Sequence, residues 1–398
     1  MRIVVEPSEY YLDYNVGDIA MTHVAVARLS HLWPEASIQV LTEPSSLFSR
    51  YCPRATPIFE RGYQPRADGS GARPQLLSRL LARAKSRILS DRSEQPLVVK
   101  QAIANSDLMV VCGMGGVTDA FCEFAFGLLG KIELALSADI PVVMMGQGIG
   151  PLRERRLRAK ASAILSRVAL IALRESRFSH SLLIELGVSP SRIITTGDDA
   201  IEIACPSRLA SWGDALGVNL RAASYSGVDK ELLESVRSIV RAAAASLNAP
   251  VVALPTAEED VETIGRLVSG CVLAGSLERS ADPLEMIERI KLCRVVLTGS
   301  YHAAVFALSM GIPSVCIAAS DYYSDKFLGL ADQFGAGCEV VLVDRDDWQA
   351  EAALKVEQSW RSAESLRPQL LAAAERQMKF GVDAYRRIRD DVVASVRH

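Results

Sequence analysis

No two of the eight cysteines lie at CxxC spacing, and no Cys/His cluster has zinc-ligand spacing, which excludes a disulfide scaffold and a zinc module. Several, such as Cys112 in LMVVCG and Cys316 in PSVCIA, sit inside apolar runs and read as small buried hydrophobes of a reducing compartment. No stretch approaches the ~20 uninterrupted apolar residues of a spanning helix, and MRIVVEPSEYY lacks the apolar core of a signal peptide. The cytoplasm is the expected location. An excess of one charge is missing too. Forty-four basic against 47 acidic side chains leave a net charge of −3, which argues against a general nucleic-acid binder. Composition also excludes collagen, a coiled coil and a disordered tail. What is present is a chain of 398 residues, 49% hydrophobic and 23% charged, long enough for two or three domains that need no staple.

The apolar runs alternate with helical stretches. A β-branched run at residues 3–5 leads through a polar loop to a helix from about 19 to 32 and a strand at 38–41. LMVVCG (108–113), PVVMMG (141–146), ALIALR (169–174) and RIITTG (192–197) continue the series, with helices near 119–137, 153–168 and 176–186. A second series follows: LGVNLR (216–221), PVVALPT (250–256), VVLTG (295–299) and PSVCIA (313–318), with helices between them. Continuous rather than alternating apolar strands predict parallel sheets covered by helices on both faces. The reading is α/β: two Rossmann-like doubly wound domains, 1–205 and 215–345, facing a cleft at their strand carboxyl ends. The tail, 346–398, predicts two helices, which the domain plan sends back toward the first domain. Residues 61–92 stand apart, with eight basic side chains against Asp68 and Asp91 and a leucine stripe at helical spacing. That pattern fits a basic amphipathic helix on an anionic membrane surface, or a surface insertion packed on the first domain.

Candidate site residues cluster at strand-to-helix junctions. Asn15-Val16-Gly17-Asp18 follows the first strand and opens a helix, where free amides favour anions and Gly17 admits a close neighbour. Asp18 reads equally as ligand contact or as N-cap. Gly113-Met114-Gly115-Gly116 lies between a strand and a helix. Gly146-Gln147-Gly148-Ile149-Gly150-Pro151 marks a tight turn at a sheet rim, and Gly115, Gly116, Gln147 and Gly148 are candidate contacts there. Arg221 ends GVNLR, where its planar fork suits phosphate or carboxylate or a salt bridge. Glu259 and Asp260 at the next strand end can hold a hydroxyl or serve the helix dipole. His23, His31 and His180 lie in predicted helices and His398 is terminal. Only His302 stands at a strand-to-helix junction facing the cleft, where an imidazole suits proton transfer at neutral pH. Tyr322, Tyr323, Asp325 and Lys326 follow the next strand toward the same cleft.

These pieces together resemble the polysaccharide pyruvyl transferase family. The matching segments are NVGD (15–18), CGMGG (112–116), GQGIGPL (146–152), LRESRFSHSLLIELGV (173–188), GDDA (197–200), GVNLR (217–221), SYHAAVFALSMGIPSVCI and Lys326. They run in order over about residues 13–330. The resemblance implies a GT-B-like pair of domains, donor side second and acceptor side first. It also implies transfer of the pyruvyl group of phosphoenolpyruvate onto a glycan or lipid-linked precursor as a ketal. No cofactor or metal is expected, since phosphate leaves from carbon. In that reading His302 is the acid, Asp18, Asp119 or Glu259 the base, and Arg221, Arg174 and Lys326 bind the donor. Similar proteins carry Arg-Leu-His where this chain has Ser300-Tyr301-His302. Alternatives on the same scaffold are a glycosyltransferase using a nucleotide sugar and a non-catalytic glycan-binding or assembly protein.

Overall fold

The computed structural model describes residues 1–59, 95–208, 213–221 and 223–393. The basic segment at 61–92 lies outside the described residues. Two parallel sheets organise the rest. The first runs β3 (Ala55–Pro57), β2 (Ser37–Val40), β1 (Arg2–Glu6), β4 (Leu108–Val111), β6 (Val142–Ile149), β7 (Leu170–Leu173) and β8 (Ile193–Thr195), with β5 (Met114–Val117) paired to β6. The second runs β10 (Val251–Ala253), β9 (Ala215–Asn219), β11 (Cys293–Thr298), β12 (Ser314–Ala318) and β13 (Cys338–Leu342). The core strands are buried from end to end, as in Leu108–Val111 and Ala215–Asn219, because helices cover both sheet faces.

Each sheet reverses its strand order once, between β1 and β4 in the first and between β9 and β11 in the second. A crevice opens at the carboxyl ends of such a pair, because the flanking connections depart to opposite sides. Asn15–Asp18 follows β1 and the glycine cluster follows β4. Arg221 follows β9 and Ser300–His302 follows β11. The four junctions singled out in the sequence therefore lie at two switch points.

Two local expectations are corrected. The glycine cluster at 113–116, expected only as a junction between strand and helix, enters a strand of its own, Met114–Val117, against an extended β6. Gly146, at φ +61°, lets β6 bulge and continue to Ile149, and a Cβ there would stand 3.2 Å from the Gly113 Cα. The tail is one helix of 40 residues, Trp348–Arg387, rather than two, and it continues into a π-helical turn, Ile388–Val393. Pro368 lies inside it. An interior proline costs about 3 kcal/mol, and burial on both sides offsets that here. Trp348, Ala352 and Val356 pack on the second sheet, while Ala373, Ala374 and Tyr385 join a core cluster that also holds Ile3 and Ile19.

The far end of this helix closes a buried polar network. Arg28, on the helix Val16–Leu32, contacts Asp199 at 2.6 Å and Glu202 at 2.6 Å, and Tyr385 donates to Asp199 at 3.2 Å. Gly381 leaves room for this guanidinium, because a Cβ would sit 2.8 Å from its Nη atoms. Arg28→Met removes one partner and strands the buried Asp199. It is expected to destabilise the protein by on the order of 3 kcal/mol, read as a lowered thermal midpoint.

Candidate functional site

The first half of the site grows from β1. Asn15 is extended and its side chain accepts from the Gly17 amide at 2.9 Å, so Asn15 caps the helix. The cap role read for Asp18 is thereby overturned. Asp18 accepts instead from the Ser8 hydroxyl at 2.8 Å, with its carboxylate at the cleft. Burial pushes it up to about 6 against the opposing pull of Ser8, Arg221 and Lys326. Glu9, burdened by burial and the charge of Asp18, is pushed up to about 7. A Cβ on Gly17 would overlap the His302 ring, which is why only glycine fits where the helix end meets the second domain.

A shelf without side chains lies beside it. Cβ atoms at Gly115 and Gly148 would meet the Arg174 guanidinium at 2.7 Å and 3.0 Å. Arg174 is 3% exposed, reaches Asp198 at only 3.4 Å and leaves Nη2 without a hydrogen-bond partner. Lys326 comes from the helix Asp321–Phe334 of the second domain, and no carboxylate among the described residues lies within 4 Å of its ammonium. That ammonium stands 3.9 Å above the Tyr322 ring, whose hydroxyl donates to the Gly115 carbonyl at 3.2 Å. Gly115, Gly148, Arg174, Glu175, Tyr322 and Lys326 line a shallow pocket that opens to solvent.

His302 begins the helix Tyr301–Ser309 after β11. It is largely buried, its Nε2 has no hydrogen-bond partner, and Asp198 lies 3.9 Å away. Burial, then the charges of Arg174, Lys326 and Arg221, hold the imidazole well below its usual range. The same burial, with Arg174 opposite, lowers the Lys326 ammonium. At neutral pH the imidazole is therefore uncharged, with Arg174, Lys326 and Arg221 around it.

Other expected residues are placed differently. Arg221 meets Asp260 at 3.0 Å, Glu259 at 3.9 Å and the Tyr225 hydroxyl at 3.3 Å, so its charge is already matched. Glu259 accepts from the Tyr14 hydroxyl across the cleft. Ser300 is buried and its hydroxyl faces Thr256 at 3.1 Å, so it presents nothing charged. Tyr301 is buried beneath Arg174. Gln147 lies under the floor, its amide donating to the Cys112 and Met145 carbonyls, and Gly116 faces Phe124. Asp119 accepts from the amides of Arg153 and Glu154 at 2.5 and 3.1 Å, which ties it to that turn. Sequence reasoning missed Asp198, Tyr14 and Glu9. The GDDA motif was the available signal for the first, since its two acids diverge, Asp198 to Arg174 and Asp199 to Arg28. Among the described residues no group of three potential metal ligands gathers, and no helix is long and apolar enough to cross a membrane.

Asp18→Asn relieves a buried charge, and the pH dependence follows from the raised carboxyl. Native Asp18 binds its proton more tightly than the unfolded chain, so its contribution is intact below about pH 4 and lost as pH rises through about 6. The variant is expected to be more stable than the unaltered protein by roughly 1–2 kcal/mol above pH 7, after discounting for partial exposure. Near pH 4 the difference should vanish in thermal melts.

Residues 15–321 match the family model described as polysaccharide pyruvyl transferase. The chain is 25% identical over 229 residues to the amylovoran biosynthesis protein AmsJ of Erwinia amylovora. That stretch is 50% of this chain and 54% of AmsJ, so the chain spans about half the length of the curated relative it matches. Among solved structures, it superposes on a putative UDP-N-acetylglucosamine 2-epimerase of Listeria monocytogenes with a TM-score of 0.59 and 12% identity, covering 98% and 95% of the two chains. The UDP-GlcNAc 2-epimerase of Neisseria meningitidis gives 0.57 and 10%, over 99% and 100%. CalG4, the calicheamicin glycosyltransferase, gives 0.54 and 14%, over 98% of both. At such identities these likenesses speak for the fold, which is GT-B-like.

Proposed function

The chain belongs to the polysaccharide pyruvyl transferase family, a family of transferases, and on that premise we propose that it moves the pyruvyl group of phosphoenolpyruvate onto two hydroxyls of a glycan or glycan precursor. The observation that carries this reading is a buried imidazole with an unpartnered Nε2, surrounded by Arg174, Lys326 and Arg221. A small, densely anionic donor suits such a site, because oxyanions are bound by cations whose donors are free. Arg174 and Lys326 meet that condition better than Arg221, which is engaged by Asp260 and Tyr225.

The donor's charge also supplies the acid. Positive neighbours help keep His302 neutral, and a phosphate plus a carboxylate would cancel them. His302 then takes up a proton as the donor binds and passes it to the methylene carbon, which becomes the methyl group. The electron-poor C2 is attacked by one acceptor hydroxyl, whose proton goes to Asp18. Phosphate leaves with the electron pair of its C–O bond, and the second hydroxyl closes the ketal. Of the two hydroxyl protons, one balances the methyl group and the other leaves on phosphate. A carboxyl near 6 suits the base role, because its conjugate acid and base are both accessible near neutrality.

Calorimetric titration of phosphoenolpyruvate in two buffers of different ionisation enthalpy tests this directly. The unaltered protein is expected to bind with net proton uptake at pH 7.5, and the uptake should shrink in His302→Ala. Folded protein that ignores phosphoenolpyruvate would end the donor assignment. Equal uptake in both proteins would remove His302 as the acid.

A further inference from the structure

Arg174 is a buried cation with too few partners. Among the described residues its one carboxylate contact, to Asp198, is long at 3.4 Å, and Nη2 has no acceptor. Leaving a buried charge so thinly paired is costly unless something else holds it. The Tyr301 ring is that something: the Arg174 Cζ stands 4.2 Å from its centroid. The Lys326 ammonium lies 5.6 Å from the same ring, and His302 meets it edge-on at 5.4 Å, with the planes at 78°. One buried ring therefore carries Arg174 on its face and meets the imidazole at its edge, while Lys326 rests more closely on Tyr322, 3.9 Å from that ring.

An aromatic face does what a carboxylate cannot. It attracts a cation through the ring quadrupole without cancelling the charge and without occupying an N–H donor. Arg221 shows the other arrangement, with Asp260 at 3.0 Å matching its charge. We propose that Tyr301 is a positioning residue that holds Arg174 over the Gly115–Gly148 shelf, beside Lys326, with its charge and its Nη2 donor unspent. This inference rests on the donor reading above for its effect on phosphoenolpyruvate, but the geometry it describes belongs to the free protein.

Two measurements test it together. In protein labelled at arginine, the Arg174 Nε–Hε resonance, assigned with Arg174→Lys, is expected upfield from the ring current of Tyr301. Tyr301→Leu, which keeps an apolar side chain but no ring, should return that resonance to its ordinary position. The same variant should weaken phosphoenolpyruvate roughly two- to thirtyfold by calorimetry. Tyr301→Phe, which keeps the ring, should restore both. A merely structural role would lower the thermal midpoint and leave the affinity in place, whatever the resonance does. If Tyr301→Leu does not fold, Tyr301→Met takes its place. An unshifted Arg174 resonance in the unaltered protein overturns the proposal, as does a Phe variant as weak as Leu. Failure of the unaltered protein to bind phosphoenolpyruvate overturns the donor reading instead, and the resonance alone then decides the platform.

Discussion

The helix Val16–Leu32 ends against the ring of His302 with no room for a side chain between them, and much of the cleft follows from that approach. Gly17 belongs to the switch point of the first sheet and His302 to that of the second. Bringing these two into contact superimposes the crevices that each sheet opens separately. Tyr14 then reaches Glu259, Tyr322 reaches the Gly115 carbonyl, and Lys326 comes beside Arg174. None of these groups is near its partner in sequence. Each is where it is because two strand ends were brought together by a helix end that carries a glycine.

Such an arrangement gathers like charge and has to be held from outside. Arg174 and Lys326 face one another, with Asp198 beside Arg174 and the charges of Asp18 and Asp198 acting on Lys326. The compensating interactions lie behind the cleft. Asp199, adjacent to Asp198, is fixed by Arg28 and Tyr385, so the acid serving the site and the acid serving the frame share a backbone. The long helix Trp348–Arg387 reaches both halves, which is why a proline within it is tolerated. Exposed pairs across the domains, such as Arg177 with Asp332 at 2.9 Å, add little by comparison.

Much of this was legible in the residues. Buried parallel strands announce themselves as uninterrupted apolar runs, and the junction position of His302 distinguishes it from four other histidines. The glycines at 17, 115 and 148 were readable as places of close approach, though not what approaches. The failures share a cause: they concern choices that only the tertiary structure makes. Asn15 and Asp18 both suit a cap, and the difference lies in which one the cleft needs. Gly113–Gly116 has turn composition yet pairs as a strand, because β6 bulges at Gly146 and continues beside it. Pro368 argues for a break that packing against both domains overrides. Asp198 and Tyr14 act through partners that lie 24 and 245 residues away, beyond any local pattern.

The distribution of counter-charges gives the cleft a direction. On the side of β9 and β10, Arg221 is matched by Asp260 and approached by Glu259, so that wall is neutral to negative. On the shelf side, Arg174 has one long carboxylate contact among the described residues and both Arg174 and Lys326 rest on aromatic rings, so that wall is the more positive. Asp18 lies at the cleft with Glu9 beside it, and both carboxyls are raised into the range where they exchange protons near neutrality. An anion entering this field is drawn toward Gly115 and Gly148, and its uncharged end is left toward the carboxyls. Within the reading proposed above, that gradient orients phosphoenolpyruvate before any specific contact forms. Within the same reading, Ser300 does not rule out an anionic donor, because Arg174 and Lys326 stand at the shelf with aromatic rings as their close neighbours.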